Sequence, residues 1–368
     1  MPLARFAATV LVHLSRSVEQ SLARTLRYPL SPMIFWFQKG SAVATSRIAD
    51  TRLFDDTRLY RSPKPTLDEL AAKYFGEESV PIDVEFGALT HCGLVRSNNE
   101  DHYSVIRRFR ARDVLLTNMP ASAYIQHKDE AYALAVADGM GGAAFGEFAS
   151  MLALRTGWEL TGKAFNWLFK SSEAEVIEWE EAMNVYMQLI HRRLKQEAGV
   201  KGGYQGMGTT LTGALTMGLD AFIVHVGDSR AYLHRAGALH RLTKDQTLAE
   251  EMVKVGLIAS VDEAAQRFRN TLVSCLGGHT ENVEVETTHL LLSDGDQLLL
   301  CSDGLTDMVS EMDITRILDR PLASQAKCQE LIDAALAGGG RDNVTVVLGR
   351  FRKAQGLEKI NSNLEESR

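Results

Sequence analysis

The sequence predicts an α+β protein in which mostly antiparallel sheets carry helices on their outer faces. Two observations predict it: strand-like runs cluster around hairpin turns, and helical stretches come in pairs instead of alternating with strands one by one. Residues 84–90, 102–107 and 132–137 read as strands, with a polar loop over 110–129. Helices follow at 145–169 and 173–197. In the second, Val176, Ile177, Met183, Val185, Met187, Leu189 and Ile190 are spread among charges, so the two form a helical hairpin. Strands return at 209–216, 222–226, 230–234 and 239–242, with Arg235-Ala236-Gly237 as a hairpin turn. A helical excursion covers 247–268. Strands at 283–286 and 297–301 and two helices between 313 and 337 precede a last strand at 344–351. No internal repeat is visible, and the chain after 352 reads as a flexible tail.

Composition bounds the function classes. A chain of 368 residues that is 45% hydrophobic and 24% charged is an ordinary globular protein with room for one large domain and an extension. A net charge of -7 gives no electrostatic case for nucleic-acid binding. Cys92, Cys275, Cys301 and Cys328 form no zinc-ribbon or thioredoxin spacing, which points to reduced thiols in a cytoplasmic protein. No apolar stretch reaches the roughly 18 residues needed to span a bilayer.

The first eighty residues differ in character. Arg5, Arg16, Arg24, Arg27 and Lys39 face only Glu19 over the first forty positions, and Ile34-Phe35-Trp36-Phe37 is an aromatic knot beside Pro29 and Pro32. A membrane-surface helix or targeting peptide fits this pattern, and so does a partly ordered arm packed on the main domain. Arg61-Ser62-Pro63-Lys64-Pro65 reads as a linker, followed by a short helix over 66–75. The expected division is an extension at 1–80, a domain at 81–352 and a tail at 353–368.

The chemistry lies in acids placed at strand ends. Two apolar runs lead into Asp-Gly, at Asp138-Gly139 and at Asp303-Gly304. An acid where a strand stops has a fixed backbone behind it, and the glycine frees the neighbouring carbonyl to turn toward the same point. Glu100, Asp101, Asp228 and Asp342 occupy comparable places. With no histidine cluster near them, these oxygen donors suit Mg2+ or Mn2+ and imply a multi-metal hydrolase. Two such ions about 3.5 to 4 Å apart share an aspartate and a water and clamp a phosphate for in-line attack. Asp138 is the expected bridging acid, completed by Asp303 and Asp342 on one ion and by Glu100 on the other. Arg96 offers a guanidinium fork for two phosphate oxygens.

Taken singly, Asp-Gly is a turn signal more often than a ligand. Three other motifs are decoys. His91-Cys92 followed by Arg96 has too short a spacer for a cysteine phosphatase loop. Gly157 to Lys163 lacks the hydroxyl residue of a phosphate loop and sits within a predicted helix. Gly139-x-Gly141-x-x-Ala144 places Asp138 where a pyrophosphate would be repelled.

Six motifs occur together in one order: Arg96-x-x-Asn99-Glu100-Asp101, Val136 to Gly142, Gly208-Thr209-Thr210, Val226 to Tyr232, Cys301 to Leu305, and Arg341 to Thr345. This order resembles the metal-dependent type 2C serine/threonine protein phosphatases, over about residues 83 to 352. The resemblance implies a four-layer α-β-β-α sandwich, two mostly antiparallel sheets flanked by helix pairs, with an Mn2+ or Mg2+ pair in a cleft at one end. It implies hydrolysis of phosphoserine and phosphothreonine by a metal-bound water, on proteins phosphorylated by a serine/threonine kinase. By position, Asp138, Asp303 and Asp342 would hold one ion, and Asp138, the Gly139 carbonyl and Glu100 the other. Asp101 would support them, Asp228 matches the acid that recruits a weaker third ion, and Arg96 matches the phosphate-binding arginine.

The chain departs from the family pattern at three points. Met140 stands where many animal members carry a histidine, as is usual in the bacterial branch. Gln246 replaces a frequent histidine, and Ser274 stands where arginine is common; both lie around a flap over 245–278. Two alternatives stay open. One is an inert binding protein on the same fold; the other is a phosphatase dedicated to one regulator, such as an anti-sigma antagonist, with the N-terminal arm for docking.

Overall fold

Gln297 to Cys301 sets apolar side chains at four successive positions, which a strand uses only when both its faces are buried. In the computed structural model this run is a central strand. Leu298 and Leu300 point into a core between two sheets, while Leu299 and Cys301 point into a second core under helices. The structure describes residues 66–68, 82–111, 114–120, 128–141, 145–163, 173–200 and 206–354. All belong to the second of the chain's two units, 65–368. The expected N-terminal arm, the linker, most of the helix over 66–75 and the tail beyond 354 lie outside the described residues.

In chain order the strands are β1 (Ile82–His91), β2 (Asp101–Ala111), β3 (Lys128–Met140), β4 (Gly208–Thr209), β5 (Leu211–Met217), β6 (Asp220–Val226), β7 (Arg230–Arg235), β8 (Ala238–Arg241), β9 (Leu276–Gly277), β10 (Glu286–Leu291), β11 (Gln297–Cys301) and β12 (Val344–Lys353). The helices are α1 (Phe145–Lys163), α2 (Glu173–Val200), α3 (Leu248–Lys254), α4 (Gln266–Arg269), α5 (Asp303–Thr306), α6 (Glu311–Asp319) and α7 (Ser324–Ala337). One sheet runs β1-β12-β11-β7-β8. The other runs β10-β6-β5-β3-β4-β9, with β2 also paired to β3. Every one of these pairings is antiparallel.

Alternation along the strands builds three cores and hence four layers. Leu134, Val136, Ile223, Leu233, Leu300, Val347 and Phe351 fill the space between the sheets. Ala137, Phe222, Val224 and Val226 face the other way, toward Ala153, Trp179, Met187 and Ile190 of α1 and α2. Val344, Val346 and Leu348 pack under α6 and α7 against Ile314, Leu331 and Ile332.

Several elements differ from the sequence reading. β3 does not stop at residue 137 but continues to Met140, because Gly139 and Met140 find a new partner in β4. The single strand expected over 209–216 is split at Thr210, and the strand expected over 283–286 begins at Glu286, where pairing with β6 starts. The excursion over 247–268 is three short pieces, α3, a 3-10 turn (Val261–Glu263) and α4. α6 starts at Glu311, capped by Ser310, whose Oγ accepts from the Asp313 N–H at 3.2 Å. The β7–β8 hairpin turns on Ala236 and Gly237, both left-handed with φ of 49° and 78°, which suits the twist of its strands. Gly157 and Lys163 lie within α1 and not after a strand. The four cysteines carry free thiols. Among the described residues no helix is long and apolar enough to cross a membrane.

Candidate metal centre

Register brings the predicted acids to one end of the sandwich. His91 pairs with Val344, Cys301 with both Val346 and Arg230, and Asp101 with Asp138, so the end of β1 and the starts of β2, β7 and β12 lie beside the ends of β3 and β11. Arg96 and Glu100 sit on the loop entering β2, and Asp101 is its first residue. Asp228 is in the β6–β7 turn, Asp303 opens α5, and Asp342 precedes β12.

Asp138 is held through its backbone. Its N–H donates to Thr210 Oγ1 (3.0 Å), and its carbonyl accepts from the Thr210 N–H (2.9 Å) and from Thr209 Oγ1 (2.8 Å). The fixed backbone expected behind this acid therefore comes from β4 and Thr210, not from a strand end. The glycines after the acids also serve a different purpose from the one expected. Gly139 and Gly304 are both absent from the glycines with positive φ. A Cβ on Gly139 would lie 2.1 Å from the Gly146 carbonyl oxygen, and one on Gly304 would lie 2.0 Å from the Asn343 carbonyl oxygen. Both positions require glycine for close packing between backbones.

Electrostatics show how tightly the acids are gathered. Burial, and then the charges of Asp101, Asp303, Asp228 and Asp342, push the Asp138 carboxyl well above its ordinary range. Asp303 is raised by burial and by Asp228, Asp307 and Asp342. Burial takes Asp101 up to about 6 and, with Asp245, takes Asp228 to about 7. Glu100 is raised chiefly by burial, with Arg96 opposing. Arg96 feels Asp342, Glu100 and Asp138 together. Its guanidinium pairs with Asp342 Oδ2 at 2.5 Å.

Two observations test whether a metal fits. Asp101 Oδ1 and Asp303 Oδ1 are buried with no hydrogen-bond partner, and an orphaned charged oxygen is costly unless a cation meets it. All the side-chain donors are hard oxygens, as Mg2+ or Mn2+ prefers. Yet among the described residues no three Asp, Glu, His or Cys side chains stand close enough round one point to hold an ion as placed. Asp342 is turned to Arg96, and Asp101 Oδ2 accepts from Ser302 Oγ at 2.7 Å. The residues fit such ions in donor type and in gathering at one end of the sandwich.

A family profile described as Protein phosphatase 2C matches residues 120–338, more than half of the chain. The chain belongs to the protein phosphatase 2C family. Serine/threonine protein phosphatase PstP of Mycobacterium tuberculosis is 35% identical over 269 residues, 73% of this chain and 45% of that protein. The chain thus spans about half the length of that relative. Serine/threonine phosphatase stp of Listeria monocytogenes is 34% identical over 260 residues, 70% of this chain and 92% of its own length. The solved catalytic domain of PstP in complex with two manganese ions matches with a TM-score of 0.55 at 32% identity, covering 74% of this chain and 100% of that one. The two-sheet architecture expected of a type 2C phosphatase is thus present.

Within this phosphatase 2C framework, sequence reasoning missed the residues that hold the candidate ligands in place. Asn343 Nδ2 donates to the carbonyls of Cys92 (2.9 Å) and Asn98 (2.8 Å), and its Oδ1 accepts from the Glu100 N–H (2.8 Å). It ties the Arg96 loop to the Asp342 turn. Ser302 bridges Asp101 to the Thr345 N–H (2.9 Å). Asp307 follows one helical turn after Asp303 and adds negative charge to both Asp303 and Asp228. Its i+4 spacing from Asp303 is the only sequence signal for it. Cys92, read as a core residue, is half-buried and donates to the Arg96 carbonyl at 3.1 Å.

Proposed function

We propose that this chain hydrolyses phosphoserine and phosphothreonine in proteins, reversing a serine/threonine kinase, with a pair of Mn2+ or Mg2+ ions. Asp138, Asp303 and Asp342 would hold one ion; Asp138, the Gly139 carbonyl and Glu100 would hold the other. Asp101 supports the cluster, and Asp228 would take a weaker third ion. The observation that carries the reading is the convergence of five aspartates from separate elements on one end of the sandwich, close enough for their charges to raise one another, with Arg96 paired to Asp342 alone among them. When bound, such an ion pair lowers the pKa of a water and clamps a phosphate for in-line attack.

The chain's own groups do the rest. Arg96 is on an exposed loop, and its fork can leave Asp342 for two phosphate oxygens. The Asp138 backbone is fixed by two hydrogen bonds to Thr210, one with its hydroxyl and one with its N–H. Met140 has no proton to give, so the leaving serine or threonine oxygen takes its proton from solvent in the cleft.

We assign the phosphatase domain to 81–352, preceded by an extension at 1–80 and followed by a tail at 353–368, in a cytoplasmic protein. Retention of Asp138, Asp303 and Asp342 argues against an inert binding protein on this fold. The deciding experiment is release of phosphate from a phosphothreonine peptide by the full chain with Mn2+, with Mg2+ and with chelator, beside Asp138→Asn. Metal-dependent activity that disappears in the variant is expected. A chain that binds Mn2+ but hydrolyses no phosphopeptide would sink the proposal in favour of the inert reading.

A further inference from the structure

The connection from β2 to β3 is both basic and apolar. From residue 107 to 128 the sequence holds Arg107, Arg108, Arg110, Arg112 and Lys128 against one acid, Asp113, in a chain whose net charge is -7. Val114-Leu115-Leu116 follows the arginines, and Leu115 and Leu116 are 88% and 95% exposed. Two adjacent leucines placed this far from any core leave nearly all their apolar surface in water, which a fold alone does not explain.

Both features lie far from the acid cluster. Asp101 opens β2, and Arg108 stands seven residues further along it, about 24 Å away at about 3.4 Å per residue. The C-terminal end of α1 reaches the same place. Arg107 and Arg108 are exposed, and Arg108 Nη1 donates to the Thr161 carbonyl (3.4 Å), a neutral partner that takes none of its charge. Thr161 Oγ1 in turn donates to the carbonyl of Trp158 (3.0 Å), a tryptophan that is 54% exposed. Projecting leucines, an exposed indole and arginines at one end of a molecule suit the boundary between acyl chains and headgroups. Leucine enters the hydrocarbon, indole sits at the boundary, and guanidinium meets lipid phosphate. A protein partner would need a pocket to enclose side chains that project this far, whereas a bilayer admits them by insertion.

We infer that the β2–β3 connection and the C-terminal end of α1 form a peripheral docking surface for a membrane rich in anionic lipid. Because the rest of the chain is net acidic, attraction to such a membrane acts through this end and sets one orientation. The acid cluster then lies at the far end of β2 from the bilayer, open to soluble phosphoproteins.

The test mixes the full chain, in chelator, with sedimentable vesicles of phosphatidylcholine alone or of phosphatidylcholine and phosphatidylglycerol in equal parts. Wild type is expected to sediment with the anionic vesicles at low salt, to stay in solution with phosphatidylcholine, and to bind less at about 0.5 M NaCl. Leu115→Ser with Leu116→Ser should lower the partitioning about tenfold or more, and Arg107→Glu with Arg108→Glu should abolish it. All four positions are exposed, so both double variants should keep the wild-type Tm and the wild-type rate on a soluble phosphopeptide. If one pair fails to fold, the other pair decides. Double variants that bind anionic vesicles as well as wild type would overturn the inference and move the binding elsewhere in the chain, such as its basic first forty residues. A wild-type chain that stays in solution with both kinds of vesicle would also overturn it, and would leave the leucines to a protein partner.

Discussion

The Arg96 guanidinium lies 2.5 Å from Asp342 Oδ2, so the residue assigned to phosphate is paired with a residue assigned to metal. A cation on Asp342 and a phosphate on Arg96 each remove one partner from that pair. On the proposed assignment, a metal ion at Asp342 would leave the arginine available to substrate.

Arg96→Ala tests this relationship. Loss of a charge-assisted fork costs roughly 1.5–3 kcal/mol, so the KM for a phosphopeptide should rise about tenfold to a hundredfold while kcat changes much less. Mn2+ affinity should hold or increase, because the competitor for Asp342 is gone. Steady-state kinetics and calorimetry on the same preparation check both parts, and a loss of metal binding would contradict the separate roles.

Asp303→Asn should act in the opposite sense on metal. Turnover should disappear and Mn2+ binding should weaken, yet the chelated protein should melt a few degrees higher. Asp303 is raised by burial and by Asp228, Asp307 and Asp342, so removing its charge relieves repulsion in the metal-free state. Melting curves in chelator and in Mn2+ should therefore rank the two proteins in reverse order.

The buried acids give metal-free stability a pH dependence of definite sign, opposed in part by His225, which burial holds down to about 4. Asp101 is pushed up to about 6 and Asp228 to about 7, against an unfolded value near 3.9. The folded state then binds more protons than the unfolded state between about pH 4 and 7, so stability is fullest below pH 4 for these groups and falls as pH rises through 7. Chemical denaturation in chelator at pH 5.5 and 7.5 should give the higher midpoint at 5.5, and Mn2+ should remove the difference. A midpoint that rises with pH in chelator would refute the account.

Gly146→Ala and Gly139→Ala should separate site from fold. A Cβ on Gly146 would fall 2.0 Å from Glu100 Oε2, the far end of a side chain that can rotate away, and 2.9 Å from the Gly139 carbonyl carbon, a much milder backbone approach than Gly139 itself would meet. Stability should change by no more than about 1–3 kcal/mol while the Glu100-dependent ion weakens severalfold. On Gly139 every close neighbour is backbone, with the Gly146 carbonyl oxygen at 2.1 Å and the Glu100 carbonyl oxygen at 2.7 Å, and none can rotate away. Gly139→Ala should lose stability first, and circular-dichroism melts beside Mn2+ titrations distinguish the two.

Much of this protein was legible residue by residue. The double-faced burial of β11 was written in its apolar run, the hairpin in Ala236-Gly237, and the acids that gather at one end of the sandwich in their places at strand ends. Errors fell where an element owes its limits to a distant partner. β3 runs past Asp138 because β4 lies alongside it, and the strand expected at 283–286 shifts because β6 sets where β10 pairs.

The sequence by itself determined which side chains could serve as ligands and which faces of each strand are buried, since alternation and residue chemistry are local properties. The tertiary structure alone decided that Arg96 would meet Asp342 across 246 positions, that Asn343 would pin Glu100, and that Gly139 and Gly304 were needed for space and not for φ. Those outcomes depend on strand register and close backbone approach, which arise only when segments far apart in the chain are packed together.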